Sequence, residues 1–288
     1  MNVTQHILNG LILGHMYALV AIGWTLLLGV ARMVNFGHGQ FYMLGAFMAW
    51  VGMQKLGLPY WLSIPFSMLV VAAIGALIQR VMLRLTLEQN LTSMMMVTLG
   101  FGLLIEGISG LVFGSGPQFV KTPLGRMEIT MGDVWVTGRD VAVVIVAIVA
   151  FIALSWVLKR TRAGAWVRMV AEDPHLAKLG GLKVTRVYVG VFAFEGAAVA
   201  LAASIAAFNV PILTSIGFEE TILTFVVVVL GGVGSVRGSY VAGVALGLFM
   251  EFFGALVSPA YAMAAAFLVL MFILVLRPGG LSGGKAVH

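Results

Sequence analysis

The residues that could do chemistry in this chain are few. Three carboxylates, Glu106, Glu195 and Glu251, each lie within a long apolar run. An ionisable group at membrane depth is costly and turns toward the bundle interior or toward water. Each acid is therefore read either as a hydrogen-bonded member of a helix bundle or as part of the polar lining of a solute path. A proton relay would need several such acids within reach of one another. Polar side chains also interrupt an apolar stretch at Asn35-Phe36-Gly37-His38-Gly39-Gln40. With Glu106 and Glu195, the residues Asn35, His38 and Gln40 form the candidate translocation path.

Other chemistries are excluded by what is missing. The five histidines, at positions 6, 15, 38, 175 and 288, lack the spacing of a zinc site, and there is no cysteine. Gly232-x-Gly234 lacks the third glycine of a dinucleotide fingerprint, and no GxxxxGK[ST] run is present, so the chain is expected to hydrolyse no ATP itself. No paired nucleophile and base suggests an enzyme. No metal or cofactor is expected in this chain.

The elements that position these residues follow from hydropathy. Hydrophobic residues make up 61% of the 288 positions and charged residues 10%, more apolar surface than a soluble core of this size can hide. A span needs about 20 apolar residues, which predicts segments at 7–30, 38–54, 60–79, 91–113, 141–158, 187–208, 219–236, 239–257 and 261–276. The expected fold is an all-α polytopic transmembrane bundle of eight to nine segments, forming one domain over 1–288. No Lys or Arg precedes Arg32, so the first segment is expected to be retained as a span. The 35–40 stretch and Gly231–Ser235 read either as tight turns or as helix breaks inside the bundle. The pair 219–236 and 239–257 reads as two crossings or as a re-entrant pair. The small-residue spacings Gly10/Gly14, Gly110/Gly114 and Ser239/Gly243/Gly247 predict close helix packing.

Lys159–Arg186 is the one long polar run between two apolar ones. Asp173-Pro174 is a helix start, because an aspartate accepts from first-turn N–H groups and proline fits the first helical position. Gly180-Gly181 is the matching stop, which predicts a short helix at Pro174–Leu179. With this loop facing the cytoplasm, 13 of the 17 basic residues fall inside and Lys55, Lys121, Arg126 and Arg139 fall outside. The N-terminus is then outside and the C-terminus inside. The basic excess thus faces the cytoplasm and its anionic lipid surface, not nucleic acid. The external loop 114–140, with Pro117, Pro123, Glu128, Asp133 and Trp135, is either a connector or a docking surface.

Four stretches resemble a known family. They are Gly29-Val30-Ala31-Arg32-Met33-Val34-Asn35-Phe36-Gly37-His38-Gly39-Gln40-Phe41-Tyr42-Met43-Leu44-Gly45; Arg168-Met169-Val170-Ala171-Glu172-Asp173-Pro174; and Val229-Leu230-Gly231-Gly232-Val233-Gly234-Ser235, followed by Arg277-Pro278-x-Gly280-Leu281. In this order they are similar to LivH-type permease subunits of ABC importers for branched-chain and other hydrophobic amino acids. The resemblance implies a multi-pass subunit of the bacterial inner membrane. It also implies a second permease, two cytoplasmic ATPases that carry ATP and Mg, and an external solute-binding protein. It assigns Glu172–Leu179 to the ATPase contact. The coupling candidates are Arg168, Glu172, Asp173, Pro174, His175 and Leu176. Gly37 stands where the family commonly has alanine, and Glu195 where a small or hydroxyl residue is usual. Some relatives carry urea, short amides or aromatic compounds. Glu195, about nine residues or roughly 13 Å beyond Arg186, is expected near the inner third of its span, where it would help select a polar or cationic solute. The rival reading is a self-sufficient transporter or channel coupled to protons or cations.

Overall fold

The computed structural model describes residues 2–85, 91–114, 116–119, 128–131, 134–207 and 211–282. Lys121, Pro123, Arg126, Asp133 and His288, used above, lie outside the described residues. Eleven helices among the described residues build an all-α bundle: α1 Val3–Ala31, α2 His38–Gln54, α3 Tyr60–Leu85, α4 Leu91–Phe113, α5 Gly138–Arg160, α6 Arg162–Glu172, α7 Pro174–Leu179, α8 Val184–Ala206, α9 Ile216–Gly231, α10 Val236–Leu256 and α11 Ala262–Leu276. A two-stranded hairpin, β1 Glu128–Met131 and β2 Val134–Thr137, precedes α5. Thr137 closes that connection by capping α5 in a reciprocal box with Asp140.

Seven helical segments among the described residues are long and apolar enough to cross a membrane. The other two expected segments became α2 and α9, of 17 and 16 residues. At a rise of about 1.5 Å per residue each is shorter than a hydrocarbon core of about 30 Å. α2 starts inside the bundle at the buried His38, and α9 starts with Gly217 buried against Gly39 while Phe218 and Glu219 stay exposed. Chain 32–37 leaves the end of α1 and turns back among other helices, with Met33 and Asn35 buried, so this stretch is a helix break and not a surface turn. On the other side α9 begins at Ile216, reached from α8 through a stretch whose Ile212 bridges to Gln118 of the loop after α4.

The two halves repeat one plan in opposite senses. A long helix (α1 or α8) is followed by a return, non-helical over 32–37 and 211–215, then a short helix (α2 or α9), a tight turn and a second long helix (α3 or α10). α1 lies antiparallel on α10, and α8 antiparallel on α3. A Cβ on Gly14 would stand 2.6 Å from Val244 Cα, and one on Gly243 2.9 Å from Ala18 Cα. The expected small-residue packing is therefore present here, whereas nothing stands near Gly110 or Gly114. The halves meet where α2 and α9 start. A Cβ on Gly39 would overlap the Gly217 carbonyl oxygen, and one on Gly217 would stand 2.8 Å from the Gly39 oxygen. Only glycine allows this reciprocal contact, which the Gly39 N–H completes by donating to Thr221 Oγ1 at 2.9 Å.

Gly231–Ser235 is a turn between α9 and α10. The residues after α11 close over it, with Leu281 N donating to the Leu230 oxygen at 2.8 Å and Ser282 N to the Gly231 oxygen at 3.3 Å. Two motifs far apart in the sequence thus become one structural unit.

Candidate functional site

The centre of the bundle holds a buried polar cluster. Glu195 sits at the midpoint of α8, deeper than the inner third expected from the sequence, and its backbone lies against Gly23 of α1, where a Cβ would stand 2.9 Å from Glu195 Cα. This close approach leaves the carboxylate facing the start of α2. Its Oε1 accepts from Asn35 Nδ2 at 3.1 Å and pairs with His38 Nδ1 at 2.8 Å. Asn35 in turn accepts the Gly37 N–H at 3.0 Å, holding the turn that starts α2. Trp24 of α1 stacks on the His38 ring with centroids 4.8 Å apart and planes 21° from parallel. The side chains of His38 and Glu195 are both 0% exposed. His38 Nε2 and Glu195 Oε2 have no partner among the described residues. Polar groups tie 32–37 and the start of α2 to the middle of α8 here, and α1 joins through the stacked Trp24 and the close approach at Gly23. Because a buried charge left unpaired is costly, these pieces separate only with a rearrangement that offers the groups new partners.

The other candidate path residues lie beside this cluster. Gln40, also buried, donates through Nε2 to Glu106 Oε2 of α4 at 3.4 Å, and Glu106 is half-buried. α4 also fixes the return stretch, since the Phe36 N–H donates to Thr98 Oγ1 at 3.1 Å. Of the five residues Asn35, His38, Gln40, Glu106 and Glu195, three meet at one carboxylate and two form the flanking pair. Glu251 is elsewhere. It joins His6 at 2.9 Å and Asn9 at 3.3 Å near the ends of α10 and α1, with partial exposure, which is the interfacial hydrogen-bonding reading.

The sequence reading missed Glu220. It started the seventh segment at Glu219 and so left both acids at the membrane edge. The helix in fact starts at Ile216, with Gly217 buried against Gly39, and Glu220 is half-buried with Oε2 unpaired among the described residues. The available signal was a pair of acids at the head of an apolar run too short to cross.

The polar run 159–186 is a helical lever. The expected short helix is α7, Pro174–Leu179. Asp173 Oδ1 accepts from His175 N at 2.7 Å and Leu176 N at 3.0 Å. The Leu176 N–H, followed by the His175 N–H and the nearby positive charges of His175 and Arg32, holds the Asp173 carboxyl below the usual carboxylate range. Gly181, at φ +85, turns the chain away. A second helix, α6, was not expected. It buries Gly164, Val170 and Ala171 along one face and is capped by Thr161, which accepts the Gly164 N–H at 3.1 Å. Between α6 and α7 runs a groove of about 480 Å³ that includes Trp166, Met169, Leu176, Glu172 and Asp173. Pro174, His175 and Leu176 are exposed on α7, and Arg168 is partly exposed on α6. Among the described residues no group of His, Asp and Glu could hold a metal ion.

A family model described as the permease component of the branched-chain amino acid transport system matches residues 6–276. The chain belongs to this family. It is similar to the high-affinity branched-chain amino acid transport system permease protein BraD of Pseudomonas aeruginosa, at 29% identity over 99% of this chain and 97% of that one. LivH of Escherichia coli is also 29% identical, over 99% and 96%. LivM of Salmonella typhimurium is 28% identical over 92% of this chain and 67% of its own. This protein is thus an ABC importer permease, a multi-pass inner-membrane subunit and not an enzyme. Similarity to both LivH and LivM fits a system built on two related permeases.

Proposed function

We propose that this permease carries branched-chain amino acids into the cytoplasm by alternating access, driven by ATP hydrolysed with Mg on two cytoplasmic ATPases that dock at α6 and α7. The observation that carries the coupling assignment is the Asp173-capped α7 beside the α6 groove. An exposed apolar strip with an acidic rim, held on a short capped helix, suits a protein partner. α6 packs on both α1 and α5. α1 ends at Arg32, whose charge reaches Asp173, and the next residues lead to Asn35 and His38. A displacement of α7 is therefore delivered to the buried cluster through one helix end. Gln40 and Glu106 line the path, and Asn35, His38 and Glu195 are the latch behind them that yields as access alternates. The polar run then faces the cytoplasm with the C-terminus, while the N-terminus and the 114–140 loop face an external solute-binding protein. The substrate class rests on the names of the relatives.

The test is affinity purification of this chain with its native partners, followed by reconstitution and uptake of labelled leucine, isoleucine, valine, urea, a short amide and an aromatic acid. Co-purifying ATPase and ATP-dependent uptake led by the three branched-chain amino acids are expected. Uptake led by urea, the amide or the aromatic acid would overturn the substrate. Proton-driven uptake by the chain alone would replace the importer reading with a secondary transporter.

A further inference from the structure

A second groove opens on the outer side of the bundle. It is about 730 Å³, floored by α1 and walled by α5 and α8, with α6 and the 181–183 strap across one end. Its walls are apolar along their length, from Leu154 and Val157 on α5 to Phe194 and Leu201 on α8. The charged residues that line it are Lys183 and Arg186, both exposed, at the end beside Trp166. From Arg186 to Leu201 the α8 wall runs for roughly 22 Å at about 1.5 Å per residue, and one leaflet of hydrocarbon is about 15 Å deep. The groove therefore runs from headgroup level through a leaflet.

We propose that this groove is a binding site for an anionic glycerophospholipid of the surrounding bilayer, with an acyl chain along α8 and the phosphate between Lys183 and Arg186. Three observations select this occupant. The cations stand only at the polar end, as a phosphate headgroup requires, and Trp166 stands with them, where an indole favours the membrane interface. The surface beside the groove is built for lipid, because α5 turns Val149, Ile152 and Trp156 outward, each more than half exposed. A partner permease has other apolar surface available, on α4, where Leu111 is exposed, and on α11, where Met271, Phe272 and Val275 are exposed. Those two helices pack on α2, α3, α9 and α10, away from α5. The site does not depend on the ATPase assignment, although a lipid there would brace α6 and the 181–183 strap against α8.

Gly190 makes the site testable. It lines the groove, and a Cβ built on it meets no atom within 4 Å among the described residues, so a side chain added there starts in open space. The full chain, purified in mild detergent, is titrated with phosphatidylglycerol and phosphatidylcholine while bound lipid is counted by native mass spectrometry. One basic residue at an anionic surface is worth a factor of about five, so the pair predicts roughly a thirtyfold preference for phosphatidylglycerol. Lys183→Gln with Arg186→Gln should bring the preference close to one. Gly190→Phe should remove one bound lipid while leaving the unfolding temperature unchanged. If Gly190→Phe proves unstable, Gly190→Cys serves, since it is then the one cysteine in the chain; added phosphatidylglycerol should slow its alkylation and phosphatidylcholine should not. Unchanged lipid count in Gly190→Phe, equal binding of both lipids by the parent, or loss of a polypeptide partner in place of a lipid would each overturn the proposal.

Discussion

Two acids in this permease make nearly the same hydrogen bonds in opposite surroundings. One oxygen of Glu195 meets donors at 2.8 and 3.1 Å, and one oxygen of Asp173 meets donors at 2.7 and 3.0 Å. Glu195 is sealed in the bundle, while Asp173 stands on the lever at the surface. Similar bonds therefore do different work. Water can replace the partners of Asp173 if they are lost, whereas the partners of Glu195 would be left stranded in a dry interior. The buried acid holds the fold together, and the exposed one shapes a short helix without supporting the remainder of the molecule.

The largest expected effect follows from that contrast. Glu195→Ala and His38→Ala should each cost about 3–5 kcal/mol, the typical loss when one partner of a buried pair is removed. Thermal unfolding in detergent measures this. Glu195→Gln, which keeps an acceptor for Asn35, should lose less than half as much. Equal and small losses for all three would mean that the cluster is not under load.

A next, smaller effect separates two glycines. Gly39→Ala drives a methyl group into the Gly217 carbonyl and should cost about 1–3 kcal/mol or more, the usual penalty of overpacking. Gly190→Ala faces open space and should stay within about 0.5 kcal/mol of the parent. The same unfolding assay ranks them, and a reversed order would contradict the reciprocal contact between α2 and α9.

The lever should show the least effect on stability. Asp173→Ala with Pro174→Gly is expected to leave yield and unfolding temperature unchanged, as gel filtration and thermal unfolding would show. Its pH response is also specific. The folded Asp173 carboxyl is held below its usual range, so its cap contributes at every pH above the unfolded value near about 3.9 and is lost as pH falls through the lower folded value. A spin label at position 178 should keep its mobility from pH 8 to 5 and loosen only below about pH 4. Asp173→Asn, which caps without titrating, should show no such step.

How much of this was legible in the sequence depended on whether the signal was local. α2 and α4 run over the expected residues 38–54 and 91–113 because apolar runs end at clear polar or glycine breaks. α7 was equally clear, since Asp173, Pro174 and Gly181 each impose a backbone conformation on their own neighbourhood. α6 was hidden because its basic residues and short apolar face read as loop. The return before α9 falls between the expected segments 187–208 and 219–236, but its place was hidden, since the bridge from Ile212 to Gln118 joins residues far apart in the sequence. The pairing of His38 with Glu195 joins residues 157 apart, and nothing in a single sequence reports a contact of that range. The sequence did mark Glu195 as costly at membrane depth and His38 as a polar interruption of an apolar stretch, and the cost of leaving such groups unpaired is the reason they meet.

The most direct test of the division between latch and lever is the amount of solute imported per ATP hydrolysed in proteoliposomes that contain the complete importer. Compared with the parent, Asp173→Ala with Pro174→Gly should hydrolyse ATP while importing at least tenfold less solute per ATP, with the order of preferred solutes unchanged. Glu195→Gln should keep solute per ATP near that of the parent and leave the order of preferred solutes unchanged, because Glu195 stands behind the path and not in it. A parent-like ratio in the α7 variant, together with a collapsed ratio in Glu195→Gln, would assign coupling to the buried cluster and contradict the account.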